Sequence, residues 1–161
     1  DRALDQVRAV LVGVDQISAD AHLVQAGDRR LDHFVDLREV GQPLGEVLAD
    51  RSSSMELDET QFSFALQLTS GVREYAERLD RLIAEHAPEW PLDQVAVIDR
   101  NILRMALWEV AVYKKTPLKV GINEAVELAK AFGTDSSPRF VNGVLGSLAD
   151  NIETITQTLN K

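Results

Sequence analysis

The side chains able to carry chemistry in this sequence are few and widely spread. Its three histidines, His22, His33 and His86, share no metal-ligand spacing, and cysteine is absent. Thiol catalysis, thiolate zinc sites and disulfide frameworks are therefore excluded. Glu124 and Glu127 lie three apart on one helix face, which is how a dimetal site in a helix bundle begins. Such sites use Glu-x-x-His units, and no histidine follows any glutamate at that spacing here, so the alternative is a solvated helix start. No glycine-rich phosphate loop follows a strand and no nucleophile elbow exists. Neither an enzyme nor a cofactor nor a bound metal is expected.

A different chemistry is open to the last third of the chain. Phe140 follows Asp135-Ser136-Ser137-Pro138 in the first turn of a helix, where an aromatic ring either caps the core or lies exposed as a base-stacking platform. Arg139, Lys114, Lys115 and Lys119 offer phosphate contacts if their loops converge, and are otherwise solvated charges and helix-end cations. Asp99 and Arg104, five apart on one helix, read as a surface carboxylate and a snorkelling arginine. Asn123 and Glu124 read as local caps of a helix start. Gly143 sits inside a helix, where glycine costs about 1 kcal/mol against alanine, and reads as the mark of a tight helix crossing.

The elements that must position these residues are helical. From Asp58 to Ala87 the positions Phe62, Leu66, Thr69, Val72, Ala76, Leu79 and Ile83 recur at steps of three and four, with Asp58 or Thr60 as the cap and Pro88-Glu89-Trp90-Pro91 as the stop. A second run, Val97, Ile98, Asn101, Ile102, Met105, Trp108, Glu109 and Val112, ends at Lys114-Lys115-Thr116-Pro117. A short helix after Pro117 ends at Gly133, and a last one passes through Phe140, Val141, Val144, Leu145 and Leu148. Residues 151–161 form a polar tail expected to fray. Residues 1–54 read less clearly: Leu4, Val7, Leu11 and Val14 make one helix face, Leu31, Phe34 and Val35 begin another, and Arg51-Ser52-Ser53-Ser54 is a linker. No stretch alternates apolar and polar residues long enough to need a strand. The expectation is an all-α domain over residues 1–161.

Composition limits the function classes. The 161 residues carry a net charge of −9, divided as −4 over residues 1–54, −5 over 55–91 and zero over 92–161. That sign argues against a general nucleic-acid coat protein, yet all five lysines lie in the neutral last part, so a local basic patch is open to it. No apolar stretch approaches the ~18 residues of a membrane span, and Asp1-Arg2-Ala3-Leu4 does not resemble a secretory leader. A cytoplasmic protein without membrane contact is expected.

Three segments together are more specific. Residues 98–110 (IDRNILRMALWEV), then 122–130 (INEAVELAK), then 140–145 (FVNGVL) resemble, in order and spacing, the signatures of the NusB family of transcription antitermination factors. The resemblance is good over residues 55–150. It implies a compact all-helical domain of two small three-helix bundles sharing a core. It also implies pairing with a small-subunit ribosomal protein that doubles as a Nus factor, and binding of a short single-stranded RNA element in ribosomal-RNA leaders, within the RNA polymerase antitermination complex. On this resemblance Phe140, with Arg139, Ser136 and Lys119, contacts RNA; Arg104 lies toward the RNA side; and Asp99 faces the ribosomal protein. A homodimer is left open. The first 54 residues diverge: Asp1 to Asp28 match nothing in the family's arginine-rich opening, and Arg29 and Arg30 give a loose echo of it, with Asp28, Asp32 and Asp36 interleaved. A basic arm interrupted by acids holds phosphate poorly. Two other readings stay open: a protein-interaction bundle with little RNA binding, and the detached RNA-binding domain of a ribosomal-RNA cytosine methyltransferase, whose catalytic domain would not fit in this length.

Overall fold

Asp58 and Gln61 start the first helix by satisfying each other's backbone. The Asp58 Oδ1 accepts the Gln61 N–H at 2.8 Å, and the Gln61 Oε1 accepts the Asp58 N–H at 2.9 Å. This reciprocal box selects Asp58 over Thr60 as the cap. The computed structural model describes residues 58–161, and the expectations that fall on residues 1–57, Arg29 and Arg30 among them, lie outside the described residues. Helix α1 (Glu59–His86) is followed by a short 3-10 turn (Leu92–Gln94), α2 (Val97–Trp108), a π-helical turn (Glu109–Tyr113), α3 (Leu118–Phe132), α4 (Ser137–Ala149) and α5 (Ile152–Leu159). Among the described residues there is no strand, and no helix is long and apolar enough to cross a membrane.

The chain divides into two units between Ser70 and Gly71, inside α1. In the described part of the first, Phe64, Ala65, Leu68 and Thr69 are buried, and the Thr69 hydroxyl donates to the Ala65 carbonyl at 2.6 Å. Leu66, expected on the apolar stripe, is 38% exposed. The inward face of α1 is therefore narrower than the spacing of its apolar residues predicts.

In the second unit α3 and α4 pack along each other, α2 packs on both, and α5 packs on the π turn. Ile98, Ile102, Leu103, Met105 and Leu107 from α2 meet an interior that also holds Val141, Val144, Leu145 and Leu148 from α4. Every residue from Ile98 to Glu109 except Arg100 is buried, so α2 is the central element. A helix buried on all sides has its polar groups inside as well, and these need partners.

Two sequence expectations change here. The tail does not fray: α5 buries Ile155 and Leu159, and the Asn160 side-chain amide donates to the Ala111 carbonyl at 3.0 Å. Its apolar residues, Ile152, Ile155 and Leu159, recur at helical steps that the polar composition of the segment masks. Gly143 marks no crossing either, because a Cβ built there would meet nothing within 4 Å. The close approaches are at Gly71, where a Cβ would fall inside the Trp108 indole, and at Gly121, where it would lie 2.6 Å from Val110 Cγ1.

The end of α2 is also specific. Beyond Trp108 the hydrogen bonding widens, so that the Lys114 N–H donates to the Glu109 carbonyl at 2.9 Å, and Lys114 closes the turn in the left-handed region at φ 61°. The turn is held by side chains. Thr116 Oγ1 donates to the buried Glu109 Oε2 at 3.0 Å, Tyr113 stacks on Trp108 with ring centroids 5.3 Å apart, and the Lys115 ammonium lies 5.3 Å from the Tyr113 ring centre.

Candidate functional site

Arg104 is 1% exposed, and its guanidinium is held in a fork. Its Nε donates to Asp80 Oδ1 at 2.6 Å and an Nη donates to Asp80 Oδ2 at 2.8 Å, while another Nη donates to Asn101 Oδ1 at 3.2 Å. This corrects the snorkelling arginine. A side chain buried on the inward face of a central helix cannot reach water, so its charge is met by an acid from α1. Buried in this way, Arg104 presents no donors to a phosphate at the surface, and it can act on a binding site only by positioning α2. Sequence reading missed Asp80, which it placed among the solvated residues of α1.

Asp99 is 7% exposed, which corrects the surface carboxylate. The Ser137 hydroxyl donates to its carboxyl, while its Oδ1 has no hydrogen-bond donor among the described residues. Burial raises the Asp99 carboxyl above its ordinary 3.8, and the Ser137 hydrogen bond partly offsets that rise. A raised native value means that the folded protein binds this proton more tightly than the unfolded chain does. The associated stability is complete below 3.8 and is lost as pH rises through the native value. Asp99→Asn, uncharged throughout, is expected to flatten that part of the curve and to be at least as stable as the parent at neutral pH. Urea unfolding of both proteins across that range tests this, and parallel curves would refute it.

Ser137 ties this position to the turn between α3 and α4. Gly133 ends α3, and the Thr134 N–H then donates to Ser137 Oγ at 2.9 Å. Thr134 Oγ1 lies 3.1 Å from Ser136 Oγ and 3.2 Å from Ser137 Oγ. Pro138 occupies the first turn of α4, where its missing N–H costs nothing. Ser136 and Arg139 are exposed on this turn and Phe140 is half-buried. The Phe140 ring meets Trp90 edge to face, with centroids 6.1 Å apart and planes at 75°. Trp90, which the sequence reading used only as part of a helix stop, is 57% exposed. Its setting between two prolines was the available signal.

The remaining cations do not join this group. Lys119 lies at the beginning of α3 and Arg139 just beyond its end, so at 1.5 Å per residue they are roughly 20 Å apart along the helix. Lys114 and Lys115 are exposed at the Lys119 end of α3. The loops therefore form two separate clusters instead of one basic patch. Asn123 and Glu124 do not cap α3, which begins at Leu118 directly after Pro117 and has completed a full turn before reaching them. Glu127 pairs with Lys130 at 2.9 Å on the exposed face. Among the described residues no group of three or more potential metal ligands is gathered.

The NusB family profile matches residues 29–150. It starts at Arg29, where the sequence gives only a loose echo of the family, and stops at the polar tail. The Transcription antitermination protein NusB of Roseiflexus castenholzii is 46% identical over 120 residues, covering 73% of this chain and 84% of that protein. The protein of the same name from Chloroflexus aggregans is 39% identical over 139 residues, covering 85% and 91%. Among solved structures, NusB of T. maritima superposes with a TM-score of 0.70 at 27% identity, over 96% of each chain.

Proposed function

Because this chain belongs to the NusB family, we propose that it is a non-enzymatic, RNA-binding transcription antitermination factor. It pairs with a small-subunit ribosomal protein acting as a Nus factor. Together they bind a short single-stranded RNA element in ribosomal-RNA leaders, in the cytoplasm and within the RNA polymerase antitermination complex. The observation that carries this reading is the 46% identity over 120 residues to a protein named for transcription antitermination. The turn bearing Ser136, Arg139 and Phe140 supports it, since hydroxyls, a cation and an accessible ring are what an unpaired nucleotide needs. Asp99 is assigned to the ribosomal-protein side, where its unpartnered Oδ1 would accept a donor from the partner. Lys119 contributes a phosphate contact distant from the ring, and Arg104 acts by positioning.

The test is a gel shift of the pure chain on leader RNA, with and without the ribosomal protein. Weak binding alone and tight binding together are expected, because net acidity opposes a polyanion. No shift in either case would overturn the reading, and partner binding without any RNA shift would leave a protein-interaction bundle. With ~3 phosphates neutralised, the slope of log affinity against log salt should be about −2. Phe140→Ala is expected to lower affinity by a similar factor at every salt concentration, whereas Lys119→Ala reduces the slope by about 0.7. A Phe140→Ala loss that vanishes at high salt would remove the ring from the contact.

A further inference from the structure

We infer that Trp90 and Phe140 form a two-ring platform on which one unpaired base of a bound RNA strand stacks, Trp90 supplying the open face. The inference rests on the RNA-binding reading and adds a residue to it. Exposing an indole to 57% forgoes much of the burial such a large ring can gain, and here the exposure is fixed by backbone. Pro88 and Pro91 bracket the ring, Pro91 holds φ at −51°, and the Trp90 N–H donates to the Ala87 carbonyl at 3.0 Å. The contact with Phe140 at 6.1 Å and 75° fixes one side of the pair, so the indole is held in place before any ligand arrives. Stacking on a ring that is already positioned avoids the cost of ordering a mobile side chain.

The surroundings favour a base over a protein partner. Among the described residues the other large apolar side chains with comparable exposure are Leu66 and Val120. Val120 lies near the start of α3, whereas the platform is built at the start of α4, beyond the far end of α3. Around the rings the chain offers Glu89, Asp93, Gln94 and Arg139, all exposed and polar. A stable protein interface buries roughly 800 Å² per partner around an apolar centre, which a single isolated ring does not provide. One planar base fits a pair of aromatic rings, with Arg139, next to Phe140 in sequence, available to the adjoining phosphate.

The experiment uses the full chain with the ribosomal protein and a labelled single-stranded RNA of about twelve nucleotides from a ribosomal-RNA leader, into which one abasic nucleotide is moved position by position, since each stacked base is a separable contribution. Binding is followed by anisotropy of the label and by tryptophan emission from the chain. Trp108 is 6% exposed, so acrylamide-accessible emission reports Trp90. Binding is expected to quench that emission and shield it from acrylamide. Trp90→Ala should weaken binding about 10-fold and Trp90→Phe much less, since stacking needs a ring and no particular hydrogen bond. One abasic position should produce a similar loss in the parent and no further loss in Trp90→Ala. Losses that multiply at every position, or RNA binding equal in parent and Trp90→Ala, would overturn the platform and leave the RNA-binding reading standing. Trp90→Ala weakening capture of the ribosomal protein in the absence of RNA would assign the ring to the protein interface and overturn it as well. Absence of RNA binding under every condition would overturn both.

Discussion

Asp80→Ala is expected to lower the stability of the protein by about 3–5 kcal/mol, the cost of removing one partner from a buried ion pair. The magnitude follows from what remains behind. Arg104 is 1% exposed and cannot lose its proton, so the variant would keep a cation inside with its two charge-assisted hydrogen bonds to Asp80 removed. Asp80→Asn keeps an acceptor and should cost less. The double variant Asp80→Leu with Arg104→Met should cost less than Asp80→Ala alone, because no uncompensated charge remains. Urea denaturation followed by circular dichroism measures all three. An Asp80→Ala loss below about 1 kcal/mol, the range of exposed ion pairs, would mean that Arg104 does not depend on this fork.

Gly71→Val should be comparably damaging, for a steric reason. The atoms nearest a built Cβ at Gly71 belong to the Trp108 ring itself: Cε2, Nε1 and Cζ2. A fused ring cannot bend aside, and Trp108 is also stacked on Tyr113 and buried to 6% exposure. Inserting methyl groups therefore displaces either α1 or α2, at an expected cost of about 3 kcal/mol or more. Gly143→Ala is the matched control. With nothing within 4 Å it should stabilise the protein by roughly 1 kcal/mol through helix propensity alone. Melting temperatures that move in the same direction for the two variants would contradict the packing described for both glycines.

These two glycines show what the sequence could and could not reveal. A glycine in a helical run has the same letter whether it faces a neighbouring ring or open solvent, and the periodicity around Gly143 drew attention to the wrong one. Helix limits were legible because they depend on local chemistry. Asp58 with Gln61, the prolines at 88 and 91, Gly133, and Pro138 all act within a few residues of themselves. Partners distant in sequence were not. Arg104 needs an acid 24 residues earlier, and nothing in the spacing of α1 separates Asp80 from the solvated acids beside it. The candidate site divides in the same way. Phe140, Arg139 and Ser136 share one local turn and were found together, whereas Lys119 was joined to them only by the assumption that the loops converge. Trp90 was overlooked because its neighbour in space, Phe140, lies fifty positions away.

The π turn after Trp108 governs how this part of the protein tolerates insertions and deletions. Each π turn holds one residue more than an α-turn, and such widened turns in α-helices are frequent at functional sites. Deleting one residue within Glu109–Tyr113 would let the backbone close into ordinary α-helix and swing whatever follows by about 100°. Thr116 would then lose the Glu109 carboxylate, and the Ala111 carbonyl would turn away from Asn160 near the chain's end. An insertion would shift the same contacts in the opposite sense. The number of residues between Trp108 and Pro117, more than the identity of those that fill the space, is what natural variation in this segment has to respect.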